Sequence, residues 1–416
     1  MKRKNLWGLL LINFGISAYW QIENFWINLY WNREVDQHAF YISLMVATSA
    51  IVGVLTQIII GALSDSSKNK YGRRKIFIFI GGITGCICMC IFPLTKHILL
   101  SYGLIAAVVF GVIIDIFITF FGDMTTPTRL ALFTELTEIE ERGGKNALIG
   151  LLSGAGGGLI MLMYIMNFPN NDAYFYVGAV CLLLGAIGCV FLVDDSPEPN
   201  NSRTFQMCLK EILRRESYRE HPDFYRLLLA FFVFYLGLNV FSNYIFVYAE
   251  NVLRFDQTQI GLLAVSFVVF NLLITLPATT LSDKIGRKPL VIIAIACSSI
   301  LLIVLTFLDA GQTFLLYIIT FGLIMALTAT FDLTATSWTQ DLCPKDMKGS
   351  MLAYLVVVKV IPMAPGALLG GWIADHYAVS VGQYSPLIFL VGGLISLCAF
   401  PFYFKITDSI KREEKS

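Results

Sequence analysis

GALSDSSKNKYGRRK, residues 61–75, closes one long apolar run and opens another, and a shorter version, TTLSDKIGRK, stands at residues 279–288. The second copy is not isolated. Leu63-Ser64-Asp65 and Leu281-Ser282-Asp283 are 218 positions apart, and at the same offset Tyr30 falls on Tyr248 without a gap. After a loop that is four residues shorter, Gly72-Arg73-Arg74 falls on Gly286-Arg287-Lys288. Farther on, Glu135-Leu136 and Arg142-Gly143 match Asp341-Leu342 and Lys348-Gly349 at an offset of 206. Ordered anchors of this kind mark an internal duplication.

Outward from the two loops, apolar runs bounded by charge or turn residues give twelve spans. They lie at about 6–31, 39–64, 75–95, 101–130, 146–168, 173–193, 224–249, 258–281, 289–308, 313–338, 350–373 and 384–404. Composition agrees: 56% of the 416 residues are hydrophobic, about 233 positions, and 14% are charged. Twelve helices of about 20 residues need about 240 apolar positions, whereas a soluble domain carries roughly 25% charge. The expected fold is therefore all-α and membrane-embedded. Assigning loops to alternate sides puts 25 of the 30 Lys and Arg on one side, three on the other (Arg33, Lys96, Arg254) and two inside spans (Arg129, Lys359). Basic loops face the cytoplasm, so both termini are expected there, in a cell membrane. Lys2-Arg3-Lys4 precedes an apolar stretch without a small-residue cleavage site, which reads as a first spanning helix rather than a removed signal. The long polar stretch 194–223 is expected to be a cytoplasmic linker between halves 1–193 and 224–416.

Several function classes are excluded. A net charge of +1 does not suit a general nucleic-acid binder. Nine cysteines form no CxxC pair, and the four histidines are scattered, so neither a disulfide framework nor a metal site is expected. With no phosphate-binding Gly loop and no GxSxG elbow, no cofactor and no enzyme activity are expected.

With the motifs quoted, TTLSDKIGRK resembles the loop motif of the major facilitator superfamily. GALSDSSKNKYGRRK resembles the longer form found in its glycoside-pentoside-hexuronide cation symporter branch and the sucrose-transporter-like proteins. PTRLALFTELTEIEER (127–142) is similar to that branch's helix 4 and following loop, and YLVVVKVIPMAPGALLGGW (354–372) carries Lys359 where the branch has a helix 11 lysine. The resemblance implies twelve helices in two six-helix halves around a central site that opens alternately to each side. It also implies a conformational latch: Gly61, Asp65, Gly72 and Arg73 in one half, and Asp283, Gly286 and Arg287 in the other. There a carboxylate pairs with an arginine and faces the N-terminus of helix 11 or 5 while the cytoplasmic side is closed. The chain departs from the branch at its ligand positions. The helix 2 acids of sodium-coupled members fall on Gly53 and Gln57, and the sugar-binding aspartates of helices 4 and 1 fall on Thr125 and Ser17, which with Lys359 are kept as candidate substrate-binding positions.

Ionisable side chains inside spans cost about 2.5 to 3.5 kcal/mol each on insertion scales and normally face a cavity or a partner. Here they are Glu23, Asp115, Asp123, Arg129, Asp332 and Lys359, with none in helices 3, 6, 9 or 12. Asp123, Asp115 and Glu23 are candidate ion-coupling groups, and Lys359 is expected to pair with Asp123. Helix 1 adds a polar stripe, Asn13, Ser17, Gln21, Asn24 and Asn28, beside Trp20; helix 7 echoes it through Tyr235, Asn239 and Asn243. Amides and aromatic faces suit a polyhydroxylated solute, and interhelical amide bonding is the alternative. The expected activity is proton-coupled symport of a sugar or similar small polar metabolite by a monomer in the lipid bilayer. An exporter, a carrier of lipid-like substrates and a non-transporting sensor are the rivals.

Overall fold

The computed structural model describes residues 2–195, 221–342 and 358–406, apart from 68, 70, 71, 138, 169, 309, 310, 312 and 405. All regular structure among them is helical. Helix α1 runs in three pieces, Arg3–Gln21, a π turn at Ile22–Trp26, and Ile27–Glu34. It is followed by α2 (Ala39–Ser66), α3 (Lys75–Tyr102), α4 (Leu104–Leu136), α5 (Ile139–Ile165) and α6 (Ala173–Leu192). Then come α7 (Pro222–Asn251), α8 (Gln257–Phe270, a π turn at Asn271–Thr275, Leu276–Ile285), α9 (Arg287–Leu305) and α10 (Phe314–Leu342). The last two are α11 (Met363–His376) and α12 (Leu387–Phe404). Ten of these are long and apolar enough to cross a membrane. The segmented α1 and the partly described α11 complete the twelve. Fully helical spans satisfy their own backbone bonds, which is what lipid requires. Leu100, Ile105 and Phe191, like Phe307 and Leu273, hold their side chains exposed, as lipid-facing positions do.

The first helices of the two repeats depart from α geometry in the same register: α7 tightens to a 3-10 turn at Ser242–Tyr244, which the 218 offset places on residues 24–26 of the π turn in α1. Helix α4 continues through Pro127, as the register of the repeat required, and beyond the expected end at about 130. In α11, residues 358–360 are helical, the chain turns at Ile361-Pro362, and the helix resumes at Met363, with Pro365 in its first turn.

The chain divides into two compact units, Met1–Gln37 with Thr48–Met207, and His38–Ala47 with Cys208–Ser416. The break falls within 194–223, of which 196–220 lie outside the described residues. One segment differs from a contiguous split: the first turns of α2 belong to the second unit. Those turns are capped within that unit, where the Asp375 carboxylate accepts the Ala39 and Phe40 backbone N–H groups, each at 2.8 Å. Packing repeats as the sequence does. In the first unit α1 lies on α5 and α6, and α3 on α4 and α6; in the second, six helices on, α7 lies on α11 and α12, and α9 on α10 and α12. The close approach of α1 and α5 depends on Gly156, where a Cβ would stand 2.2 Å from the Phe14 carbonyl oxygen.

The loop motif builds equivalent contacts in each unit. Arg73 and Arg74 are buried and both pair with Glu135, Arg74 at 2.9 Å, while Arg287 lies 2.8 Å from Asp341. Glu135 and Asp341 are the residues that the repeat superposes. Lys75 donates to the Val190 and Val193 carbonyls at the end of α6, and Lys288 to the Phe404 and Ile406 carbonyls at the end of α12. The side chains of Asp65 and Asp283 lie outside the described residues, so the carboxylate part of the expected latch does too. Gly72 has φ +111, a conformation that L side chains rarely adopt, and a Cβ there would stand 2.5 Å from Asp195 Oδ2. That same oxygen caps α3, accepting the Arg74 and Lys75 N–H groups at 2.7 and 3.0 Å. Gly72→Ala should therefore cost about 1 to 3 kcal/mol through backbone strain and the displaced cap. A lowered melting temperature of the purified protein checks this, and an unchanged one refutes it.

Candidate functional site: two intramembrane polar clusters

In the first unit, α2 and α4 face each other with polar residues at one helical spacing: Ser49, Gly53 and Gln57 on α2, and Asp115, Thr119 and Asp123 on α4. The Ser49 hydroxyl donates to Asp115, and the Gln57 amide donates to Asp123 at 2.9 Å. Between these two bonds Thr119 donates to Glu23 of α1 at 3.4 Å. Gly53 is the gap that admits Asp123, since a Cβ at residue 53 would lie 2.6 Å from its carboxylate oxygen. A carboxylate from α4 thus fills the space beside Gly53 and Gln57 of α2. Asp115 and Asp123 are 2% and 7% exposed, so their partners settle their chemistry. Both carboxylates accept bonds from neutral side chains, and neither makes an ion pair with any described residue. Glu23 sits within the π turn of α1, and such turns recur at functional sites because they re-aim side chains.

In the second unit a different arrangement holds. Lys359 donates to Asp332 and, at 3.1 Å, to the Thr336 hydroxyl. Tyr235 donates to the same Asp332 oxygen at 2.6 Å, and the Lys359 ammonium lies 5.5 Å from the Phe231 ring centre. The expected pairing of Lys359 with Asp123 is corrected: its carboxylate is Asp332, one helical turn before Thr336 on the same face of α10. Sequence spacing gives the depth of a charge but not which neighbouring helix turns a carboxylate toward it. The pair is half-open, with side-chain exposures of 24% and 32%.

The polar stripes divide. Ser17 and Gln21 are half-buried and face α5 at Gly157, and half-buried Trp20 lies against Gly122 of α4. Asn24 and Asn28 spend their amide donors on carbonyls four residues back, Trp20 at 2.8 Å and Asn24 at 3.4 Å. Asn239 and Asn243 do the same to Tyr235 and Asn239, and Asn239 is buried against Gly366 of α11. Thr125 is corrected outright. It is fully buried, donates to the Gly122 carbonyl at 2.8 Å and packs against Gly81 of α3, so it has no surface to offer a solute. Among the described residues no cluster of three or more His, Cys, Asp or Glu could hold a metal. Sequence reasoning passed over Ser49 and named Gln57 only as a departure from the branch, although each stands 66 residues before the aspartate it binds. That shared separation, with the matching spacing on both helices, was the available signal.

The sequence matches the model of the family described as Major Facilitator Superfamily over residues 9–258 and again over 251–416. An uncharacterised MFS-type transporter of Methanocaldococcus jannaschii is 22% identical over 374 residues, covering 86% of this chain and 85% of that protein. The fold is shared with the crystal structure of the nucleoside transporter NupG, at a TM-score of 0.75 and 12% identity, covering 98% of this chain and 100% of that one. It is shared too with a D-xylose-proton symporter, at a TM-score of 0.70 and 17% identity over 98% and 97% of the two chains.

Proposed function

The chain belongs to the Major Facilitator Superfamily, and from that premise we propose that it is a proton-coupled symporter of a sugar or similar polar metabolite, working by alternating access between its two halves. The observation that carries the coupling is the pair of buried α4 carboxylates held by neutral donors, Asp115 by Ser49 and Asp123 by Gln57. A proton needs one carboxylate whose protonation state follows its access to water. Sodium needs several oxygen ligands around a charge, and here the α2 neighbours of Asp123 are an amide that donates and a glycine. Lys359, Asp332 and Tyr235, half-open and aromatic-flanked, supply polar groups for the solute. The resemblance to the cation symporter branch supports a sugar, with both termini cytoplasmic and no cofactor.

Proteoliposomes carrying the purified protein test the reading with a panel of labelled sugars, nucleosides and related solutes. Under an inward proton gradient without sodium, one of them should accumulate above its external concentration. Accumulation that requires sodium and ignores pH would replace proton coupling with sodium coupling, and equilibration indifferent to both would mark a uniporter.

A further inference from the structure

Under the 218 offset the start of α2, Ala39, falls on the start of α8, Gln257, and His38 falls on Asp256. The two repeats cap these helices differently. Asp256 caps α8 locally: its carboxylate accepts the Gln259 N–H at 2.8 Å, and the Gln259 side chain accepts the Asp256 N–H at 2.9 Å. At the matching position α2 has His38, outside the Ser, Thr, Asp and Asn class that caps helices. Its first two N–H groups go instead to the two oxygens of Asp375, 336 and 335 residues away on α11. Asp375 lies in the last turn of α11, the end where the helix dipole disfavours a carboxylate, so its charge serves α2 rather than its own helix. The contact continues inward. One turn on, Ser43 is fully buried, and a Cβ at Gly371 would stand 2.7 Å from both its Cβ and its Oγ. A second turn on, Ala47 is 4% exposed on the same face.

Helix α2 is nevertheless unbroken from Ala39 to Ser66. Beyond Ala47 it belongs to the first unit, where Ser49 and Gln57 bind Asp115 and Asp123. A rigid rod fixed to both units at once would block alternating access, so one attachment gives way in each cycle. The bonds to Asp115 and Asp123 are enclosed, at 2% and 7% exposure, and parting them would leave polar groups unmet. The start of α2 lies at the end of a span, with Gln37 and Phe40 exposed, so water can take over both N–H groups and the carboxylate. We infer that Asp375 is a releasable latch on the outer side: it holds α2 while that side is closed, lets go when it opens, and so sets when water from outside reaches the coupling carboxylates. The inference rests on the transport reading above and on cytoplasmic termini, which place the start of α2 outside.

The test uses the full chain in right-side-out membrane vesicles, with Ala47→Cys as reporter and a membrane-impermeant maleimide added outside. Labelling is counted beyond that of the chain without the added cysteine. Asp375→Ala should raise the labelling rate about fivefold, the usual worth of a helix cap expressed as a population. Asp375→Asn keeps one acceptor oxygen and should raise it less, which covers the case where the alanine variant does not fold. Asp256→Ala removes the cap of α8 instead and should leave the rate unchanged. Hydrogen exchange of the same variants separates a latch from a plain cap, because losing a cap frays one turn. Faster exchange at Ala39 and Phe40 with unchanged labelling at residue 47 overturns the latch. An equal rise in Asp256→Ala, or no rise in either Asp375 variant, overturns it too, and a rise seen only in inverted vesicles overturns its placement outside. Labelling needs no solute. Proton-independent uptake would therefore remove coupling from the reading above and leave the latch standing.

Discussion

Asp123→Asn abolishes proton-driven accumulation of solute and leaves exchange of solute across the membrane intact. Asparagine has the size of aspartate and can still meet the Gln57 amide through its side-chain oxygen, at 2.9 Å in the native protein, so the bundle keeps its packing. What it loses is the proton site. One pH unit is worth about 1.4 kcal/mol, or tenfold, so a one-proton symporter under that gradient concentrates its solute up to about tenfold and the variant should reach a ratio of about one. Gly53→Ala is the steric counterpart: its methyl would press on the Asp123 carboxylate from 2.6 Å and shift it away from Gln57. Normal accumulation by Asp123→Asn, measured in proteoliposomes with counterflow as the exchange control, would falsify the assignment of coupling to this residue.

Lys359→Ala should be the most damaging single change in the second unit, and Asp332→Ala in the same chain should restore much of the lost stability. Removing one member of a buried pair leaves an uncompensated charge and costs about 3 to 5 kcal/mol; removing both is far milder. Exposures of 24% and 32% place this pair at a partly wet surface, and a loss of about 2 kcal/mol is the better expectation. Tyr235 and Thr336 then keep the double variant folded, although it should not transport. Melting temperatures of both single variants and the double variant close the cycle. Additive losses would disprove the pairing, and rescue by Asp123→Ala in place of Asp332→Ala would reinstate the partner first expected from the sequence.

The fold was legible because lipid imposes long apolar runs and the duplication repeats its own punctuation. Glu135 and Asp341, read from the sequence only as anchors of the repeat, are the acids that pair with Arg73 and Arg287. Lateral facing between helices was not legible. Lys359 was expected to meet Asp123, yet it meets Asp332 because α10 and α11 turn those side chains together. The asparagine stripes misled for a local reason: Asn24, Asn28, Asn239 and Asn243 return their amides to their own helix, a bond that needs no neighbour and leaves the same periodic trace as a lined cavity. Thr125 misled because its position came from a borrowed register, and here that position is buried against Gly81 of α3. The π turn at Ile22–Trp26 has no sequence signature and changes the facing of every residue after it.

The interruption of α11 has a consequence for how this protein resists mutation. Proline has no N–H, so Pro362 and Pro365 deprive the Val358 and Ile361 carbonyls of their regular helical donors, on either side of Lys359. Non-helical backbone within a span persists where protein or water-filled space can satisfy it. These two oxygens are acceptors that belong to the main chain, so a scan that truncates side chains one by one passes over them. Only replacing the prolines themselves returns the missing amides and silences the acceptors, which makes an apparently inert pair of ring residues as selective a target as the lysine that precedes them.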